Sequence, residues 1–103
     1  MEKEFIDKFR NIIKLTDKQW SHIVEEHPEI EPYKNRLLEV LSNPDLVKRS
    51  KRNKDTFLYY RYYKDIFKGK YLLVVARTKS KSMLLTCYIT DRIKKGDLIW
   101  KRN

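Results

Sequence analysis

Cysteine is nearly absent. Cys87 stands alone among 103 residues, so no internal disulfide can form and no second sulfur is at hand for a zinc ribbon or a redox pair. A reducing compartment is the natural expectation. Glycine is almost as scarce, with two in the chain, and no Gly/Ser linker, repeat or low-complexity tract interrupts it. One continuous domain over residues 1–103 follows, since a chain of this length supports one core and not two. The opening stretch MEKEFIDKFRNIIKL alternates charge with apolar residues and lacks the unbroken apolar run of a signal peptide or membrane helix. A soluble, cytoplasmic protein with no membrane partner is expected.

What the sequence has in excess is positive charge. The formal net charge is +10, and 37% of residues are charged against a usual level of about 25%. Residues 1–47 carry a net −3 and residues 48–103 a net +13, so the second half holds the positive field. A polyanion is the expected partner, because neutralising phosphates releases counterions and drives nonspecific affinity. The densest run is Lys48, Arg49, Lys51, Arg52 and Lys54, followed at once by the aromatic stretch TFLYYRYY. Cations beside aromatics suit phosphate pairing and base stacking. The plainer alternatives are a solvated loop and tyrosines that pave a strand.

The first half reads as helical. Thr16-Asp17-Lys18-Gln19 fits a capping box, with Gln19 reaching back to the cap. Trp20, Ile23, Val24 and His27 follow at the spacing of one face, with His22, Glu25 and Glu26 opposite, and Pro28 places His27 at the helix end. A second helix is expected from Pro32, with Tyr33, Leu37, Val40 and Leu41 as its apolar stripe and Asn43-Pro44-Asp45 as its stop. An earlier helix over Lys3 to Ile12 is expected from Phe5, Phe9 and Ile12, with a short strand at Ile12 to Leu15 as the alternative.

The second half reads as strands: Leu46 to Arg49, Thr56 to Tyr63, Tyr71 to Thr78, Met83 to Thr90, and an edge piece at Leu98 to Lys101. The turns at Lys68-Gly69-Lys70 and Lys79 to Ser82 make an antiparallel meander of the middle three. Alternation puts Leu85, Cys87 and Ile89 on the core face of the fourth strand and Thr86, Tyr88 and Thr90 on the other. The second set is a row of hydroxyls able to orient a phosphate or ribose, or an ordinary solvent face. The fold class is α+β, helices before sheet.

Six features now line up: His22-Ile23 followed by His27-Pro28-Glu29, Asn43-Pro44-Asp45, the aromatic strand, Tyr71 to Val75, Thr86/Tyr88/Thr90, and the KKG-x-LIW run from Lys94 to Trp100. From about Leu15 to Trp100 the chain resembles the phage-associated nucleases of the barnase, EndoU, colicin and RelE-like group. The resemblance implies amino-terminal helices packed on a four-stranded antiparallel, curved sheet, and metal-independent RNA cleavage, often by a toxin or effector. Carried onto matching positions, it makes His22, His27, Arg61, Thr86 and Tyr88 the catalytic candidates.

Metal-free RNA cleavage needs a base for the ribose 2′-hydroxyl, an acid for the leaving 5′-oxygen, and donors for the charged phosphorane. Histidine suits either proton-transfer role near neutral pH. Arg61 and Arg77 are the bidentate phosphate clamps on offer, and Thr86 and Tyr88 supply hydrogen bonds. Lys48, Arg49, Lys51, Arg52, Lys54, Arg77, Thr90, Lys94 and Lys95 are the candidate nucleic-acid contacts. The two histidines lie about 140° apart on a helix, so they do not point at one atom, and His27 on the apolar stripe also fits a structural role. The spacing H-x4-H with a core-facing Cys87 makes a poor metal site, so neither metal nor cofactor is expected. RNA is the expected partner, with an acidic antitoxin or immunity protein as a further one. A non-catalytic RNA- or ribosome-binding module, or a pure docking partner of an acidic protein, fits the same charge pattern.

Overall fold

The chain does not open with a helix. In a computed structural model describing residues 2–103, β1 (Glu2–Ile6) pairs antiparallel with β2 (Ile12–Thr16). The helix expected over Lys3 to Ile12 is displaced by Asp7, whose buried carboxylate accepts the backbone N–H groups of Phe9 at 2.9 Å and Asn11 at 2.7 Å. It also accepts the Asn11 amide at 2.9 Å and the Tyr59 hydroxyl, and Arg10 takes a left-handed φ of 73°. An aspartate that offers its own oxygens to the following N–H groups stabilises a turn at the expense of a helical ladder. The strand alternative at Ile12 to Leu15 is what forms. It buries Ile13 and Leu15 and leaves Ile12, Lys14 and Thr16 on the other side.

Thr16 caps α1 (Asp17–Glu26), its hydroxyl accepting the Gln19 N–H at 3.0 Å. The Gln19 side chain does not reach back; its amide donates to the Leu85 carbonyl at 2.6 Å and ties the helix to the sheet. His27 is the C-cap, as Pro28 requires. The helix expected from Pro32 begins only at α2 (Leu37–Ser42). Pro28–Arg36 is a 3₁₀ segment broken at Tyr33 (φ −110°, ψ 15°), with Pro28 at its first turn and Pro32 inside it, where the missing N–H removes a donor from the ladder. Asn43-Pro44-Asp45 stops α2 as expected. Arg102 clamps that corner, donating to Asn43 Oδ1 at 2.5 Å and to Asp45 Oδ1 at 3.3 Å.

The strands β3 (Leu46–Arg49), β4 (Thr56–Tyr63), β5 (Lys70–Arg77), β6 (Met83–Thr90) and β7 (Asp97–Lys101) lie close to their expected positions. The sheet itself is larger than the expected four antiparallel strands. It has seven, in the order β1-β2-β6-β5-β4-β3-β7, and it is mixed, since β2 meets β6 in parallel at Lys14 and Met83. The amino-terminal hairpin, formed where a helix was expected, accounts for the added strands on one side. The helices cover one face, burying Ile23, Ile30, Leu37 and Val40 against Tyr59, Leu72 and Val74. The opposite face carries a smaller cluster of Leu46, Leu58, Tyr60 and Leu73, with Tyr71, Val75 and Tyr88 beside it.

One register shift matters for the faces of β6. Val75 opposes Thr86 but Ala76 opposes Leu84, so Leu85 is a bulge and Leu84 takes the core position expected of Leu85. Thr86, Tyr88 and Thr90 still share the open face. Among the described residues no helix is long and apolar enough to cross a membrane.

Tyr59 is fully buried, and burial, with the Asp7 carboxylate beside it, pushes its hydroxyl far above the usual tyrosine value of 10. The unfolded chain ionises this group near pH 10 and the folded chain does not, so its contribution is complete below pH 10 and is lost as pH rises beyond it. Melting temperatures recorded from pH 8 to 11.5 are expected to fall less steeply above pH 10 in Tyr59→Phe than in the parent protein. Equal slopes would assign the alkaline loss to other groups.

Candidate active site

The open face of β4, β5 and β6 forms the floor of a cleft of about 560 Å³. Thr56 and Leu58 come from β4, Val75 from β5, and Thr86 and Tyr88 from β6. Ser50, Lys51 and Arg52 from the β3–β4 loop form one wall, and Lys94 and Lys95 from the β6–β7 loop the other. Cross-strand pairing explains why these side chains meet. Leu58 opposes Val75 and Val75 opposes Thr86, and directly opposed residues share a face.

Both walls are held from below. The Tyr60 hydroxyl accepts the Lys94 N–H at 2.9 Å, and the Lys48 ammonium donates to the Lys94 carbonyl at 3.1 Å. Lys94 is thus fixed at both ends of its backbone while its side chain stands 5.4 Å over the Tyr88 ring. Gly96 lets this loop run against β3, where a Cβ would come within 2.6 Å of the Arg49 carbonyl oxygen. On the other wall the Ser50 hydroxyl accepts the N–H groups of Arg52 at 3.2 Å and Asn53 at 3.4 Å, which shapes the basic turn. Burial is the main cause that raises the Tyr60 hydroxyl above its ordinary value, so it stays neutral beneath the loop.

His27 lies in the helical layer outside the cleft lining and meets the cleft through Tyr88. At the C-cap of α1 its ring stacks on Tyr88 with centroids 4.9 Å apart and planes 24° from parallel. Its Nδ1 lies 3.8 Å from the Glu29 carboxylate, and its side chain is 32% exposed. The His27 imidazole and the Lys94 amine therefore both meet the Tyr88 ring. On the floor, the Thr86 hydroxyl oxygen is buried and has no hydrogen-bond partner. Such an unpaired group is costly unless a ligand completes it.

Other candidates lie elsewhere. His22 is 61% exposed and faces Glu26 at 3.4 Å on the outer side of α1. Arg61 lies on the helix-side face of β4, where it donates to the Asn43 carbonyl at 2.7 Å and meets Glu39 at 3.3 Å. Arg49 also turns to that face, over Phe57. Thr90 closes the β6–β7 turn through Arg92, and Lys54 is exposed in the basic loop outside the cleft lining. Arg77 opposes Thr56 at the end of the open face. Lys51, Arg52, Lys94 and Lys95 are the basic candidates that line the cleft itself. Burial, with a smaller push from Glu29, raises the Cys87 thiol to about 12, which keeps it protonated in the core. Among the described residues no three His, Cys, Asp or Glu side chains gather into a metal-binding group.

The family model described as phage-Barnase-EndoU-ColicinE5/D-RelE like nuclease2 matches residues 1–101. The chain belongs to this nuclease family. No match was found among curated proteins or among solved structures. In this family member Thr86, Tyr88, Arg52 and Lys94 line one cleft, and the supporting contacts of Ser50 and Tyr60 were not visible in the sequence. Lys48 stands in the basic run and Glu29 in the His27-Pro28-Glu29 motif, but neither signal announced the contact each makes, with the Lys94 carbonyl and with His27 Nδ1.

Proposed function

We propose that this nuclease is a metal-independent endoribonuclease that cleaves RNA by attack of the ribose 2′-hydroxyl, with His27 and Tyr88 as its proton-transfer pair. The observation that carries the reading is the stack of His27 on Tyr88, with the Lys94 amine over the same ring and the unpartnered Thr86 hydroxyl on the adjoining floor. Nδ1 is the nitrogen that lies towards Glu29, which leaves Nε2 to meet the substrate. His27 Nε2 takes the 2′-hydroxyl proton as the O2′–P bond forms. Tyr88 gives its proton to the 5′-oxygen as the P–O5′ bond breaks, leaving a 2′,3′-cyclic phosphate and a 5′-hydroxyl. Lys94 and Arg52 balance the charge on the non-bridging oxygens, and the Thr86 hydroxyl donates to one of them.

An enzyme of this kind endangers the cell that makes it. A toxin or phage-linked effector role fits, with an acidic antitoxin or immunity protein covering the basic cleft as the partner. The test of the chemistry is an RNA carrying one 2′-deoxynucleotide at an established cleavage position. Cleavage is expected to vanish at that position alone and to persist at the others, and DNA of the same sequence is expected to stay intact. Undiminished cutting at the deoxy position would refute attack by the 2′-hydroxyl.

A further inference from the structure

A second, larger cleft of about 750 Å³ opens on the same face of the sheet, where the β1–β2 and β5–β6 turns come together. Its cations are Arg10, Lys14 and Lys81, and Glu2 is its one acidic lining residue. Among the described residues none of the three cations is engaged in an ion pair or a ring contact. Elsewhere the chain does spend its cations internally, as with Lys8 over Trp100 at 3.8 Å and Arg36 on Asp65 at 2.6 Å. Ile12, 50% exposed, and Met83 give the cleft an apolar lining beside that charge.

The pairing registers join the two clefts. Lys14 opposes Met83, Met83 opposes Arg77, and Arg77 opposes Thr56, so the four form one cross-strand row over β2, β6, β5 and β4. Because Ile13 and Leu15 face the core, Lys14 faces the open side with the rest of the row. Lys14 and Met83 line the second cleft and Thr56 lines the first. Three strand-to-strand steps of about 4.8 Å make a path of roughly 14 Å, with the Arg77 guanidinium along it. That separation exceeds what a single nucleotide occupies, and unspent cations beside apolar surface are what a single strand uses for its phosphates and bases.

We propose that the second cleft is a subsite for nucleotides flanking the scissile phosphate, so that the substrate is single-stranded RNA laid across the open face from Lys94 past Arg77 to Lys14. This proposal rests on the ribonuclease reading above, but its test is a binding measurement that stands apart from cleavage. The probes are 2′-O-methyl oligonucleotides of two and eight nucleotides, which lack the attacking hydroxyl. The parent protein is compared with Arg10→Asn/Lys14→Ser/Lys81→Ser, asparagine being chosen for the left-handed backbone at residue 10. Lys14→Ser/Lys81→Ser leaves that turn intact should the triple variant fold poorly.

The octanucleotide is expected to bind the parent at least about tenfold more tightly than the variants, with a log–log salt slope steeper than that of the triple variant by about 2 and than that of the double variant by about 1.4. The dinucleotide is expected to bind all three proteins alike. An octanucleotide that binds parent and variants with equal affinity and equal salt slope would overturn the subsite. The two proposals fail separately: a parent protein that leaves long single-stranded RNA intact but shows this length dependence with the uncleavable probes would contradict the ribonuclease reading and support the track.

Discussion

His27→Ala is expected to lower the rate of RNA cleavage at saturating substrate by about 10²- to 10⁴-fold, the range that one positioned proton-transfer group supplies. Affinity for an uncleavable RNA should change little, because the cationic walls of the cleft remain. The alanine also removes the ring on which Tyr88 stacks, a contact of about 0.5–1.5 kcal/mol. His27→Phe separates the two effects, since phenylalanine keeps the stack and abolishes the proton acceptor. It is expected to be as inactive as the alanine variant. Restored cleavage in His27→Phe would make His27 a positioning residue for Tyr88 only. His22→Ala is the control, because His22 faces solvent and Glu26, away from the cleft; a loss there equal to that of His27→Ala would contradict the assignment.

The largest effect on stability is expected at Asp7. Its carboxylate is 4% exposed and receives two backbone N–H groups, the Asn11 amide and the Tyr59 hydroxyl from 52 residues away. Asp7→Ala leaves these donors unpaired in a partly buried turn and unlatches the amino-terminal hairpin from the middle of the sheet. A loss of about 3 kcal/mol follows, since each stranded donor keeps its desolvation cost. For a domain of this size that corresponds to a melting temperature lower by about 12–24 °C. Asp65→Ala, which breaks an exposed pair with Arg36, is expected to melt almost where the parent does. A fall of only a few degrees in Asp7→Ala would show that the turn forms without its carboxylate.

Those two residues also mark where the sequence was readable and where it was not. The Thr16 cap, the end of α1 before Pro28 and the stop at Asn43-Pro44-Asp45 are local signals, decided by neighbours a few positions away, and all three appear in the fold. Asp7 acts through Tyr59, a partner distant in sequence, so a helical spacing of Phe5, Phe9 and Ile12 concealed a hairpin. The two strands added on that side of the sheet follow from that one turn. Leu85 carried the wrong face because a bulge shifts parity, and a bulge leaves no trace in a run of apolar residues.

The candidate site shows the same division. Thr86, Tyr88 and the Lys94-Lys95 pair could be singled out from alternation and from the family resemblance, and they line one cleft. Arg61 sits in TFLYYRYY, where aromatics occupy both faces and alternation assigns neither. The structure gives it the face opposite Tyr60. Helical geometry separated the two histidines but did not rank them. What distinguishes His27 is the Tyr88 ring 61 positions along the chain, which no spacing along α1 encodes.

The central claim is tested most directly by incubating the parent protein with end-labelled RNA in excess EDTA and identifying the new ends. The account predicts cleavage undiminished by the chelator, with 2′,3′-cyclic phosphate on one fragment and a 5′-hydroxyl on the other. RNA that stays intact, or is cut only when a divalent cation is restored, would contradict it.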